Sequence, residues 1–163
     1  MENKVSETIV LLIGSGAREY MIAKKIYFDS NELNRNVKII CIKTIENSEI
    51  DIYCHKCYSM EKNIEKTLFH ITENIDFCFI GPEAPLEEGY VDYFESIDVP
   101  CIGPSQFYAQ IETSKSFSRN FLKNINMEFM NPRNILLNET MTNDDITKIM
   151  NNFHKIVIKK DGL

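Results

Sequence analysis

No apolar run in this sequence approaches the ~20 residues that a helix needs to cross a bilayer. The start, Met1 to Thr8, carries Glu2, Lys4 and Glu7 and has no apolar signal core. Lysine and arginine never gather into a block and are not interleaved with aromatics, and the net charge is −6. Neither a membrane nor a nucleic acid is therefore an expected partner, and the cytoplasm is the expected compartment. The cysteines, Cys41, Cys54, Cys57, Cys78 and Cys101, are odd in number and follow no signal peptide, which excludes a disulfide framework. There is no internal repeat and no low-complexity linker.

What is present is ordinary for a globular chain: 163 residues, 44% hydrophobic and 26% charged. That length suffices for one domain with a core and part of a second. Strand and helix patterns alternate. Ile9–Ile13 is an aliphatic run of the kind buried on both faces of a sheet. Helical spacing follows over Arg18–Phe28, then a second buried strand over Val37–Ile42. Ser59–Asn74 has apolar residues at helical spacing, Asp76–Ile80 reads as a strand, Leu86–Ser96 as a helix and Pro100–Ile102 as a short strand. Such strand–helix–strand units predict an α/β fold with a Rossmann-like parallel sheet. Gly103-Pro104 marks a break, giving expected domains 1–104 and 105–163. Beyond it come a short helix from Ser105, a helix over Lys115–Asn124 capped by Thr113 or Ser114, a strand over Arg133–Leu137, a helix over Thr142–Phe153 and a strand over Ile156–Lys159. This second part reads as an incomplete α+β segment.

Two turns at strand C-terminal ends carry the candidate chemistry, because ligands of parallel sheets bind at that edge. The first is Gly14-Ser15-Gly16-Ala17-Arg18-Glu19. Glycines let the backbone turn and approach a ligand, and the helix that follows directs N–H groups and partial positive charge to the same point. That combination suits a phosphate, with Arg18 adding a charge-assisted contact. A dinucleotide is a competing reading, but Glu19 replaces the third glycine of its fingerprint and Lys43 stands where an acid would hold the ribose. A third reading is a turn that only joins strand to helix. The second turn is Gly81-Pro82-Glu83-Ala84, stiffened by proline. Its Glu83 either accepts hydrogen bonds from ribose hydroxyls or an amine, or simply opens the next helix.

Lys115 and Lys159 are candidate phosphate contacts, Lys159 because it ends an apolar run. Cys54-His55-Lys56-Cys57 has a C-x-x-C spacing. It reads as a redox pair or half a zinc site, or as two thiols in a loop or short edge strand. No second ligand pair completes it.

The ordered series GSGAREY, FIGPEAPL, IGPS, ETSKSFSRNFL and VIKKDGL resembles the motifs of the phosphoribosylamine–glycine ligases, from Ile9 to Leu163. The GPEAPL hexapeptide is its most specific piece. The resemblance implies a pre-ATP-grasp domain followed by the start of an ATP-grasp domain. It implies that Gly14 to Glu19 bind the substrate phosphate, that Gly81 to Ala84 line the phosphoribosylamine site, and that Lys115 and Lys159 contact nucleotide. The implied reaction joins glycine to 5-phosphoribosylamine at the expense of ATP, with Mg2+ on the transferring phosphate.

The sequence departs from that pattern. Gly16-Ala17-Arg18-Glu19-Tyr20 stands where Gly-Gly-Arg-Glu-His is usual. Lys43-Thr44-Ile45-Glu46-Asn47 replaces a Pro-Gly-Asn stretch, and Lys160 replaces a small residue. The family's glycine-rich ATP loop and magnesium-binding acids are expected beyond Leu163. No catalytic or metal residue is therefore assigned, and a second chain is an expected partner for activity. A non-catalytic phosphoribosyl- or nucleotide-binding module is the alternative.

Overall fold

The aliphatic run near the start becomes β1 (Thr8–Ile13), in which Val10 to Ile13 expose 1% or less of their surface. The computed structural model describes residues 6–61, 64–68, 70–71 and 73–162. Residues 1–5, part of the expected 59–74 helix, and Leu163 lie outside that set.

β1 pairs in parallel with β2 (Val37–Lys43) on one side and β4 (Phe77–Ile80) on the other. β3 (Lys56–Ser59) extends the sheet beyond β2, and β5 (Cys101–Ile102) extends it beyond β4. The order is β3-β2-β1-β4-β5, all parallel. Alternate side chains of β1 feed two cores. Ile9, Leu11 and Ile13 join Ile40, Ile42, Ile80, Val91 and Phe94 on one face. Leu12 joins Ile39, Cys41, Ala23 and Ile50 on the other. Each fully buried aliphatic side chain contributes about 1.5–3 kcal/mol, so burying the central strand on both faces holds this unit together.

α1 (Ala17–Glu32) runs four residues past the expected Phe28 and stops before Asn34, which takes a left-handed conformation at φ 49°. The expected helix over 86–96 is two helices, α3 (Glu83–Glu87) and α4 (Tyr90–Ser96), divided at Gly89 with φ 82°. Within the expected 59–74 helix the described residues give α2 (Ile64–Leu68), and Ser59 belongs to β3. β3 is an edge strand of mixed polarity, so no buried apolar run marks it in the sequence.

Two compact units are present, Met1–Ala109 and Gln110–Leu163. The expected boundary at 104/105 lies just before α5 (Gln106–Thr113), whereas the division falls within that helix. In the second unit, α6 (Lys115–Asn124) is capped by Ser114, whose hydroxyl accepts from the Phe117 N–H. α7 (Asn143–Asn151) is capped by Thr142 through a reciprocal contact with Asp145. The strands expected at 133–137 and 156–159 do not form. A strand exists only through its ladder, and among the described residues of this unit no other strand offers one. Val157 and Ile158 are accordingly 80% and 73% exposed.

Candidate functional site

The strand order reverses between β1 and β4, since β1 leads outward to β2 and β3 before the chain returns to the opposite side of β1. Open parallel sheets bind ligands outside the strand ends at such a point. Both candidate turns meet there. The Gly81 N–H donates to the Ile13 carbonyl at 3.1 Å, and the Gly14 N–H donates to the Ile42 carbonyl at 2.9 Å.

Arg18 and Glu83 are joined across this gap. Arg18 Nη2 donates to Glu83 Oε1 at 2.7 Å. Arg18 stays largely exposed and Glu83 is about a quarter exposed. The bond from Arg18 holds the Glu83 carboxyl below its ordinary value, helped by a backbone hydrogen bond at the helix start. Glu83 is also the first residue of α3, so it opens that helix while its carboxylate bonds Arg18 of the first turn.

Glu19 is the buried centre of the arrangement, only 3% exposed. Its Oε2 accepts the Gly16 N–H at 2.7 Å, so a carboxylate of the chain already occupies part of the anion-attracting N-terminus of α1. Its Oε1 is buried without a hydrogen bond, with Arg18 Nε 4.0 Å away. The glycines of both turns are shaped to this side chain. A Cβ on Gly16 would lie 2.9 Å from Glu19 Oε2, and one on Gly81 would lie 2.6 Å from Glu19 Cδ. Gly14 needs its glycine twice over, for φ 114° and because a Cβ would lie 2.6 Å from Pro82 Cδ.

Ser15 is fully buried. Its hydroxyl donates to the Ile45 carbonyl at 2.6 Å and accepts the Ile45 N–H at 3.1 Å. Asn47 Nδ2 donates to the Ser15 carbonyl at 2.8 Å. The 44–47 loop, which lacks the Pro-Gly-Asn stretch, is therefore tied to the first turn through Ser15. That hydroxyl is spent inside the protein, and neither bond has a signature in the sequence. Ala17 and Ala84 lie in the first turns of α1 and α3, and Pro82 caps α3. Tyr20 packs edge-on against Tyr53, ring centroids 5.6 Å apart, with Lys24 over its ring. Lys43 pairs with Asp51 at 3.3 Å and Glu46 at 3.5 Å.

In the second unit, Lys115 Nζ donates to the Gly162 carbonyl at 2.8 Å, which puts it beside the turn that follows Lys159. Lys159 is exposed in an extended segment. Asp161, which carried no assignment, accepts the Ser116 N–H at 2.9 Å at the start of α6. Its bonds with the Ser116 hydroxyl and backbone hold its carboxyl below the ordinary value.

The C-x-x-C pair gains a third thiol. Cys41, Cys54 and Cys57 place their Sγ atoms within 4.8 Å of one another. The signal for Cys41 lies only in strand register, since it faces Cys57 across the β2–β3 ladder. Thiol hydrogen bonds from Cys41 and Cys57 draw the Cys54 thiol well below its ordinary value.

Residues 8–112 match the family model described as phosphoribosylglycinamide synthetase, N domain. A phosphoribosylamine–glycine ligase of Methanobrevibacter smithii is 36% identical over 157 residues, covering 94% of this chain and 33% of the relative. One from Clostridium acetobutylicum is 34% identical over 155 residues, covering 94% and 35%. The chain thus spans about a third of the length of these curated relatives. Among solved structures, N5-carboxyaminoimidazole synthetase from Staphylococcus aureus superposes with a TM-score of 0.52 at 13% identity, covering 77% of this chain and 32% of that one. Its complex with ADP gives 0.51 at 14% identity, covering 72% and 30%. At that identity the likeness shows the fold.

Proposed function

The chain belongs to the phosphoribosylglycinamide synthetase N-domain family, and we propose that its first unit binds 5-phosphoribosylamine as part of a phosphoribosylamine–glycine ligase in de novo purine synthesis. The observation that carries the reading is the Arg18–Glu83 bond of 2.7 Å at the point where the strand order reverses. A guanidinium beside a glycine turn suits a phosphate, and a carboxylate on a proline-stiffened turn suits ribose hydroxyls or an amine. With a sugar phosphate between them, Arg18 would exchange part of its bond to Glu83 for the phosphate. Gly14 to Glu19 would then hold the phosphate and Gly81 to Ala84 the sugar.

The whole reaction would use ATP and glycine and yield glycinamide ribonucleotide, ADP and phosphate, in the cytoplasm. Lys115 and Lys159 fit a nucleotide phosphate chemically. One is an ammonium that donates to a carbonyl and the other is exposed. Magnesium prefers oxygen ligands, and among the described residues no group of three or more carboxylates gathers to hold it. Residues outside this sequence, on a second chain or a longer one, would supply such a group.

A non-catalytic phosphoribosyl-binding module is the second reading. It is favoured by Tyr20, which is packed against Tyr53 where the family carries a titratable histidine.

Calorimetric titration with ribose 5-phosphate tests the site. Wild type is expected to bind, and Arg18→Ala to bind at least tenfold more weakly, about 1.4 kcal/mol. Equal affinity, or no heat from either, overturns the assignment. Glycinamide ribonucleotide formed by the purified chain alone would overturn the dependence on further residues.

A further inference from the structure

The sulfur cluster supplies none of the groups used in the function proposed above, although the Cys41 thiol reaches the Gly14 carbonyl of the first turn. Cys41 comes from the middle of β2 and Cys57 from β3, directly opposite in the ladder, and so on the same face of the sheet. Cys54 ends the 3-10 turn Ile50–Tyr53, which lays its sulfur over the other two. All three Sγ atoms lie within 4.8 Å of one another. Sulfur atoms around a tetrahedral zinc, with Zn–S near 2.3 Å, stand roughly 3.8 Å apart. Small rotations of the half-buried Cys54 and Cys57 side chains therefore suffice to close the set.

Lys43, 11% exposed, supplies a positive charge near the thiols. Leu12, Ile39, Ile50 and Ala23 form the apolar wall behind Cys41. Cys54 and Cys57 are half-exposed and leave a path from solvent.

We propose that Cys41, Cys54 and Cys57 bind one Zn2+ ion, with solvent completing the tetrahedron. All three sulfurs bind as thiolates, so the remaining thiol protons leave to solvent and no oxidation state changes. Binding also ends the hydrogen bond that the Cys41 thiol makes to the Gly14 carbonyl at 3.4 Å. The role is structural: the metal would pin the 3-10 turn and the edge strand β3 to the centre of the sheet.

The test uses the reduced 163-residue chain. After incubation with Zn2+ alone and removal of the excess, elemental analysis is expected to give one zinc per chain. Co2+ in its place is expected to give thiolate charge-transfer absorption and the visible bands of a tetrahedral site. Cys57→Ser and Cys41→Ala should each lose both signals. Cys101→Ser should keep full uptake. Circular dichroism identifies a variant that has failed to fold. Cys57→Ser, at a half-exposed position, then decides the matter if Cys41→Ala is lost. Absence of retained zinc, or uptake that Cys57→Ser leaves intact, overturns the site.

Discussion

Arg18 and Glu83 are 65 residues apart in sequence and 2.7 Å apart in space, each at the mouth of a different strand. The pair makes the two turns one site, and it also gives that site a pH signature. Arg18 holds the folded-state pKa of Glu83 below its unfolded value. A carboxyl of that kind stabilises the fold fully above the unfolded pKa of about 4.3, and loses the contribution as pH falls through the lower, folded value. Arg18 is largely exposed, so the pair contributes only about 0.2–1 kcal/mol. The denaturation midpoint of Glu83→Gln should fall slightly below wild type between pH 5 and 8. The gap should close under acid, and a gap that widens there contradicts the pairing.

Gly81→Ala should be costly for one reason only. Its backbone is not in the left-handed region, but the new methyl group would overlap Glu19. A loss of about 1–3 kcal/mol is expected from overpacking. In a Glu19→Ala background most of that loss should disappear, because the atoms it meets are gone. Gly14→Ala should show no such rescue, since φ 114° and Pro82 remain. Urea titration of the singles and doubles measures the coupling, and additivity at Gly81 would show that Glu19 is not what requires the glycine.

Ser15→Ala should destabilise by about 0.5–1.5 kcal/mol, as it removes the hydroxyl that bonds both the carbonyl and the N–H of Ile45. Hydrogen exchange at the Ile45 amide should quicken at the same time. Unchanged exchange would mean the loop is held by something else.

Phe94→Ala, at a fully buried position, should cost about 3–5 kcal/mol in thermal or chemical unfolding. Ile158→Ser, 73% exposed, should stay within about 0.5 kcal/mol. A large effect at Ile158 would mean that its segment packs in a way the structure does not show.

The parts legible from sequence are those where one local pattern coincides with burial. β1, β2 and β4 read as strands because each carries a short apolar run, aliphatic in β1 and aromatic-rich in β4. The glycine turns read as a site because their position at strand ends follows from the strands. β3 was legible only as one alternative, a short edge strand near Cys57, because an edge strand needs no apolar run, and Gly89 was hidden inside a helical period. Ile156–Lys159 has the composition of a strand but lacks a partner, and composition cannot report the absence of a neighbour. Glu19 looked like a departure from a fingerprint, whereas its burial between Gly16 and Gly81 depends on two turns brought together only by the sheet. Cys41 lies in the apolar stretch of β2 and is fully buried. Its place beside Cys54 and Cys57 depends on which strand lies next to which.

β1 is the axis of the finished sheet and is made before both of its partners, which begin at Val37 and Phe77. At about 5–20 residues per second, roughly 4–14 s of synthesis separate β1 from the strand that covers its second edge. Through that interval an Ile-Val-Leu-Leu-Ile segment waits beside a ribosome with one edge bare. The nascent chain is thus most open to mispairing and most in need of chaperones before residue 80, and a translation pause placed just after β2 should lower the yield of soluble protein more than one placed after β4.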